Sequence, residues 1–265
     1  MQHSRTLRER VAGQSAMAAV VRAQYSAPVR GRLARILGVS PLTFEARQHY
    51  RGALGELVVG DVLENLGPTW DVLHDLPLDG SAVDHLLIGR AGTFTVHAVN
   101  YGRNEVIVDG VKLSVDGEPH LDISSAADEA AEVSRLLSLA AGKPVRVRPL
   151  LVVVDPARLT VRKAPRGVKV ISSGELAGVL AHAPRTLTGE EVANVSDLAD
   201  LESTWPAADA VDLDTQQLHR DFGTIRSAVN DALVRRILWA AAATIVVYAS
   251  VCSVIAAFVT VVVRN

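Results

Sequence analysis

Cysteine is almost missing: Cys252 is the only one in 265 residues, which excludes an intramolecular disulfide and any cysteine-based zinc cluster. It reads as a small apolar residue of a hydrophobic helix and fits a reducing compartment. Lysine is scarce too. Lys112, Lys143, Lys163 and Lys169 stand among 27 basic residues, the arginine bias of a GC-rich bacterial genome. At 4% aromatic, the chain has almost nothing to interleave with its arginines, Tyr25 excepted. The net charge of −2 points to no partner. Residues 186–219 have no lysine or arginine but hold Glu190, Glu191, Asp197, Asp200, Glu202, Asp209, Asp212 and Asp214. The first 40 residues are the reverse: Arg5, Arg8, Arg10, Arg22, Arg30, Arg32 and Arg35 face only Glu9. The opposite charges are expected to draw the two segments together. No apolar run of roughly 7–15 residues with a cleavage site opens the chain, so it does not start with a secretory signal.

What the sequence does have is a long uncharged tail. The 27 residues from Ile237 to Val263 contain no charge. As a helix they span about 40 Å, against a hydrocarbon core of about 30 Å, enough for one crossing and too little for two. Trp239 suits the interface at one end. Arg226, Arg235 and Arg236 precede the run and Arg264 alone follows it, so the positive-inside rule puts the N-terminal body in the cytoplasm, on a single-pass anchor in the cell membrane. Ala249, Ser253 and Ala257 form a small-residue stripe on which two such helices could pair into a homo-oligomer.

The rest divides into a basic helical segment (1–43), an α/β domain (44–185) and an acidic helical or linker segment (186–234), followed by the transmembrane helix (237–263). The basic segment has apolar positions at Leu7, Val11, Val20, Val21, Leu33 and Ile36 and a break at Ser26-Ala27-Pro28. Its arginines are the candidate contacts for nucleic acid or anionic lipid, with a plain solvated helix face as the alternative. Over 44–67, Leu54, Leu57, Val58, Val62, Leu63 and Leu66 recur at helical spacing, and Gly67-Pro68 ends the helix. Strands follow at 71–78, 82–89 and 93–100, then a hairpin around Asp109-Gly110. A helix is expected from Ser124 to Ala141 with Ser124 or Ser125 as N-cap, then strands at 145–155 and 168–171, and a helix from Ser173 to Ala181. The order implies a mixed central sheet flanked by helices.

Two carboxylates stand out. Glu56 follows Gly55 inside the first core helix, and Asp84 lies between Val83 and His85 on the second strand. Hard divalent ions such as Mg²⁺ take oxygen ligands from one or two such acids. A phosphodiester-cleaving centre adds an acid and a lysine at i and i+2 of the next strand, where period two puts both on one face.

RGALGE (51–56), DHLLIGRAGTFTV (84–96) and Asn100-Tyr101-Gly102, followed by a helix and the strand PLLVVVD, resemble the nuclease-related domain, often called NERD, a branch of the restriction-endonuclease-like PD-(D/E)xK fold. The likeness covers about half of the chain. It implies a restriction-endonuclease-like fold, metal-dependent cleavage of DNA or RNA with Mg or Mn, and Glu56 and Asp84 as active-site acids. The same pattern asks for an acid at 97 and a lysine at 99. This chain has His97 and Val99, and no Gln near Ser124 and Ser125.

Valine cannot hold a phosphate or orient a water, and histidine prefers Zn, Cu, Fe or Ni to Mg. His97 therefore has three readings: a satisfied polar residue in a remodelled pocket, a ligand for a borderline metal with Asp84 and Glu56, or a general base. Asp84 could instead accept an N–H or pair with Arg90 or Arg103, and Glu56 could serve packing alone. The function expected is a catalytically impaired nuclease-like domain that binds or scaffolds at the membrane. The alternatives are a nuclease with an altered metal site and a purely structural domain.

Overall fold

The computed structural model describes residues 7–25, 30–206 and 214–264. Three antiparallel strands, β1 (Trp70–Leu78), β2 (Ser81–Gly89) and β3 (Gly92–Val99), form a meander. β7 (Val147–Val153) and β9 (Lys169–Ser172) extend it in parallel, in the order β1-β2-β3-β7-β9. A second sheet, β6-β5-β4-β8, is built from β4 (Glu105–Asp109), β5 (Lys112–Val115), β6 (Glu118–His120) and β8 (Arg158–Lys163). The hairpin expected around Asp109-Gly110 is there; β6 and β8 are strands the sequence pattern did not disclose.

Helices cover both faces of the larger sheet. α3 (Phe44–Glu64) and α5 (Ser173–Ala181) pack Val59, Leu63, Leu176 and Leu180 onto Phe94, Val96, Leu150 and Val152. α4 (Asp122–Ala141) and α6 (Gly189–Asp200) pack Val133, Leu137 and Val195 onto Leu86 and Ile88. Burying each such side chain contributes about 1.5–3 kcal/mol. The N-cap expected at Ser124 or Ser125 is displaced. α4 begins at Asp122 behind Leu121, and the Ser124 hydroxyl donates 2.6 Å back to the Leu121 carbonyl. Asp122, the first residue of the helix, turns its carboxylate to the site described below.

On α3 the expected apolar positions Leu54, Leu57, Val62, Leu63 and Leu66 do pack on the core, but the most buried stripe is a different one. Its buried positions are Ala46, Tyr50, Ala53, Gly55, Val59, Gly60 and Leu63, whereas Val58 is exposed. Small residues face inward because the N-terminal segment lies close against the helix. A β-carbon at Gly60 would stand 2.4 Å from that of Ala12. Gly60→Ala should therefore destabilise the protein by about 1–3 kcal/mol, although alanine is the better helix former by about 0.5–1 kcal/mol. Urea unfolding of the full chain in detergent checks this.

The acidic segment does meet the basic one. Arg8 makes a bidentate contact with Asp71 (2.5 and 2.7 Å) and reaches Asp200 at 3.2 Å. Trp205, past the end of α6, is buried and donates 2.8 Å to the Ala199 carbonyl. α7 runs from Thr215 to Arg264. Its first turns pack Leu218 and Phe222 against α1 (Gln14–Tyr25) and α3. As far as Ser253 it is long and apolar enough to cross a membrane, and its most apolar stretch is almost wholly unburied, unlike the core helix of a soluble protein.

Candidate functional site

The site forms where β2 and β3 part. Their ladder ends at the His85–Val96 pair, while β3 continues beside β7 as far as Val99–Val153. The Ala98 N–H is left without a β2 partner, and the Asp84 carboxylate accepts it at 2.7 Å. Gly55 lets α3 come close to the end of β3: a β-carbon there would lie 3.1 Å from that of Asn100. Its neighbour Glu56 is thereby brought next to Asp84.

His97 sits at the centre. Its Nδ1 lies 3.1 Å from Glu129 and 3.6 Å from Asp84, and its Nε2 3.8 Å from Asp122. Only 18% of the side chain is exposed. Burial pulls the imidazole down, but Asp122, Glu129 and Asp84 outweigh it and raise His97 to about 11. Burial lifts Asp84 to about 6 against the opposing pull of His97 and the Ala98 N–H. Glu56 is pushed well above the usual carboxylate range, by burial first and then by Asp84 and Asp75. The carboxylates around the ring hold His97 protonated, while burial is what raises Asp84 and Glu56.

Asp122 is the acid that stays low, because His97, Tyr101 and His120 outweigh its burial. The Tyr101 hydroxyl donates to it, and His120 lies 3.7 Å away with its ring edge-on to Tyr101. Burial and Asp122 raise the Tyr101 phenol. The Asn100 side chain caps the turn, accepting the Gly102 N–H at 2.9 Å, with Gly102 at φ +74°. Val99 packs with Val106, Ile123, Leu151 and Val153. Position 99 is therefore apolar core.

The structure thus brings Glu56, Asp84 and His97 together and adds Asp122, Glu129, Tyr101 and His120, which the sequence analysis did not select. One signal was there. Glu129 is four residues before Val133 and seven after Asp122, so the helical period places it on the inward stripe of α4.

A divalent ion needs free oxygens, and here they face an imidazolium. Asp84 and Glu129 are turned to Nδ1 of His97 and Asp122 to Nε2, so the ring stands between the carboxylates and both its nitrogens face acids. Among the described residues no group of three or more His, Cys, Asp or Glu side chains is placed to hold a metal ion. These residues do not fit Mg²⁺ or Mn²⁺.

A second polar pair lies on the α3 face. His74 and His85 approach Nδ1 to Nδ1 at 2.8 Å, so one donates and the other accepts, and His74 lies 3.6 Å from Glu64. Burial lowers His74 to about 4, and burial first, then His74 and His97, takes His85 well below its ordinary value.

The arginines of the N-terminal segment divide. Arg8 is bound to Asp71 and Asp200, and Arg10 to the side chain and carbonyl of Asp75. Arg30 donates to the Val39 carbonyl at 2.7 Å. Arg22, Arg32 and Arg35 make no ion pair among the described residues, and Arg5 lies outside them. Positive charge also gathers at the opposite end of β3 and β7. Two adjoining clefts of about 400 and 790 Å³ share Arg146 and Arg148 and add Lys143 and Lys169. Arg148 stacks 4.1 Å over Phe94. The acids there, Glu175 and Glu191, are held as helix caps by Ser172 and Thr188.

The class that this geometry defines is an α/β domain whose mixed sheet gathers acids from two helices and a strand where β2 and β3 part. Residues 51–154 match the family model described as NERD, nuclease-related domain. No curated protein and no solved structure matches the chain.

Proposed function

We propose that this is a nuclease-related domain, held at a membrane by α7, that binds or scaffolds without cutting. The observation that carries this reading is His97. It fills with an imidazole the space between Asp84, Asp122 and Glu129, where a cleaving centre would need an open oxygen set, and Val99 supplies no cation for a phosphate. The arginines before the apolar run favour a single-pass arrangement with the body in the cytoplasm. Pairing of two copies through Ala249 and Ser253 belongs to the same reading. The surface suited to an anionic partner such as nucleic acid is the pair of clefts around Arg146 and Arg148, whose guanidiniums have no carboxylate within ion-pair distance among the described residues.

The test is a cleavage and binding assay on the full chain in detergent, with single- and double-stranded DNA and RNA and Mg²⁺, Mn²⁺ or Zn²⁺. The expected result is no metal-dependent cleavage, with wild type and Asp84→Ala alike. Any binding should weaken at least tenfold in Arg146→Glu/Arg148→Glu. Metal-dependent cleavage that disappears in Asp84→Ala would instead make the protein an active nuclease.

A further inference from the structure

The segment from Arg30 to Val39 is not absorbed by the domain. It contains the short helix α2 (Arg32–Ile36), and it leaves Leu33 75%, Ile36 52%, Leu37 54% and Val39 52% exposed. Four large apolar side chains uncovered within seven residues need something to lie against. Arginine is the only charged residue type between Arg30 and Val39, at Arg30, Arg32 and Arg35.

The segment is pinned at one place on α7. The Trp239 indole donates 2.8 Å to the Ile36 carbonyl, and Arg235 donates 3.0 Å to the Arg35 carbonyl. Gly38, at φ +72°, lies so close that a β-carbon would be 2.4 Å from the Ala232 carbonyl and 2.7 Å from the Arg236 nitrogen. Both features, a left-handed conformation and backbone contact, require glycine there. Residues 232–239 are the turns where α7 becomes uncharged. Asp231 is the last acid of the chain, and Arg235 and Arg236 come immediately before the apolar run. Ile237 and Leu238, more than half exposed, carry the apolar surface onto the helix itself.

We propose that residues 30–39 form a juxtamembrane foot that seats in the headgroup layer of an anionic bilayer. Leu33, Ile36, Leu37 and Val39 enter the interface, and Arg32, Arg35, Arg235 and Arg236 meet lipid phosphates. This rests on the reading of α7 as a membrane span. If α7 crosses, its Trp239 stands at the interface, and hydrogen bonds to the Trp239 and Arg235 side chains put the carbonyl end of α2 at that level. The foot would set the height and tilt of the domain above the bilayer, which a lone helix leaves free.

The test uses the full chain in vesicles on a Cys252→Ser background, with one fluorophore at Leu33→Cys and, in a separate protein, one at Ile245→Cys. Quenchers are attached to lipids at the headgroup and deep in the acyl chains. Vesicles are phosphatidylcholine alone or with phosphatidylglycerol. The Leu33 label should be quenched at least twofold by the shallow quencher in phosphatidylglycerol vesicles. That quenching should fall in phosphatidylcholine and in Arg32→Glu/Arg35→Glu. Gly38→Ala should lift the label into water while the Ile245 label stays deep. A Leu33 label in water in both lipids, with Ile245 deep, overturns the foot and leaves the span intact. Both labels in water overturn the span and the foot with it.

Discussion

Replacing His97 with alanine should cost about 3–5 kcal/mol near neutral pH, because it leaves buried carboxylates without their cation. The native imidazolium is worth this much only while it is charged. Its value is raised to about 11 from the ordinary 6.5, so its stabilisation is fully present below pH 6.5 and is lost as pH rises through about 11. On the acid side the variant recovers by another route. Asp84, already at about 6 with the cation beside it, rises further without it, and the protonated acid needs no partner. The gap between wild type and His97→Ala should therefore be widest near pH 7–8 and close in both directions. Urea unfolding from pH 5 to 10 measures it. A gap that does not change with pH would mean that His97 contributes packing and not charge.

The same variant tests why the centre is closed to metal. With the imidazolium gone, Asp84 and Glu129, which both approach the position of Nδ1, are left facing a vacant space of the right sign for a hard cation. Mn²⁺ should raise the unfolding temperature of His97→Ala and leave wild type unmoved. At a concentration one hundred times its dissociation constant, an ion bound only to the native state adds about 2.7 kcal/mol. Equal shifts in both proteins would place the ion elsewhere.

The sequence shows the meander, the hairpin, α4, α5 and the apolar tail through period and turn residues. It also shows Glu56, Asp84 and His97, because a motif names positions. It does not show what His97 faces, since Asp122 and Glu129 come from a helix reached only after β4, β5 and β6. Their selection depends on how that helix rotates against β3. The small residues buried on α3 were not legible for a related reason, although Leu54, Leu57, Val62, Leu63 and Leu66 do pack on the core and only Val58 is exposed. Helical spacing identifies the large apolar residues, Leu54, Leu57 and Val58 among them. What chose the buried stripe was the nearness of another backbone, which favours Ala53, Gly55 and Gly60. β8 escaped notice because its residues are mostly exposed and its register is set by β4 alone.

That neighbouring backbone is held by Asp75, and its loss should have the second large effect. Asp75 is 2% exposed and has φ +54°, a left-handed conformation on a strand. Its carboxylate accepts the Ser15 N–H at 3.1 Å and the Ser15 hydroxyl at 2.9 Å, and it pairs with Arg10 at 3.2 Å. An acid supplied by β1 thus caps the first turn of α1 and favours its dipole. Asp75→Ala removes the cap, leaves the Arg10 guanidinium with only a carbonyl, and keeps the strained φ. About 2–4 kcal/mol should be lost. Asp75→Asn should lose less than half of that, since asparagine tolerates the left-handed region and its side-chain oxygen still accepts from Ser15. Gly13, just before α1, packs on α3 with its missing β-carbon 3.5 Å from that of Glu56. Loosening α1 therefore uncovers Glu56, whose raised value comes first from burial. Hydrogen exchange should speed up over residues 14–25 in Asp75→Ala, and the Glu56 carboxyl should titrate closer to its ordinary value. Faster exchange with no change at Glu56 would mean that α1 is a clamp on the fold and no part of the wall that closes the site.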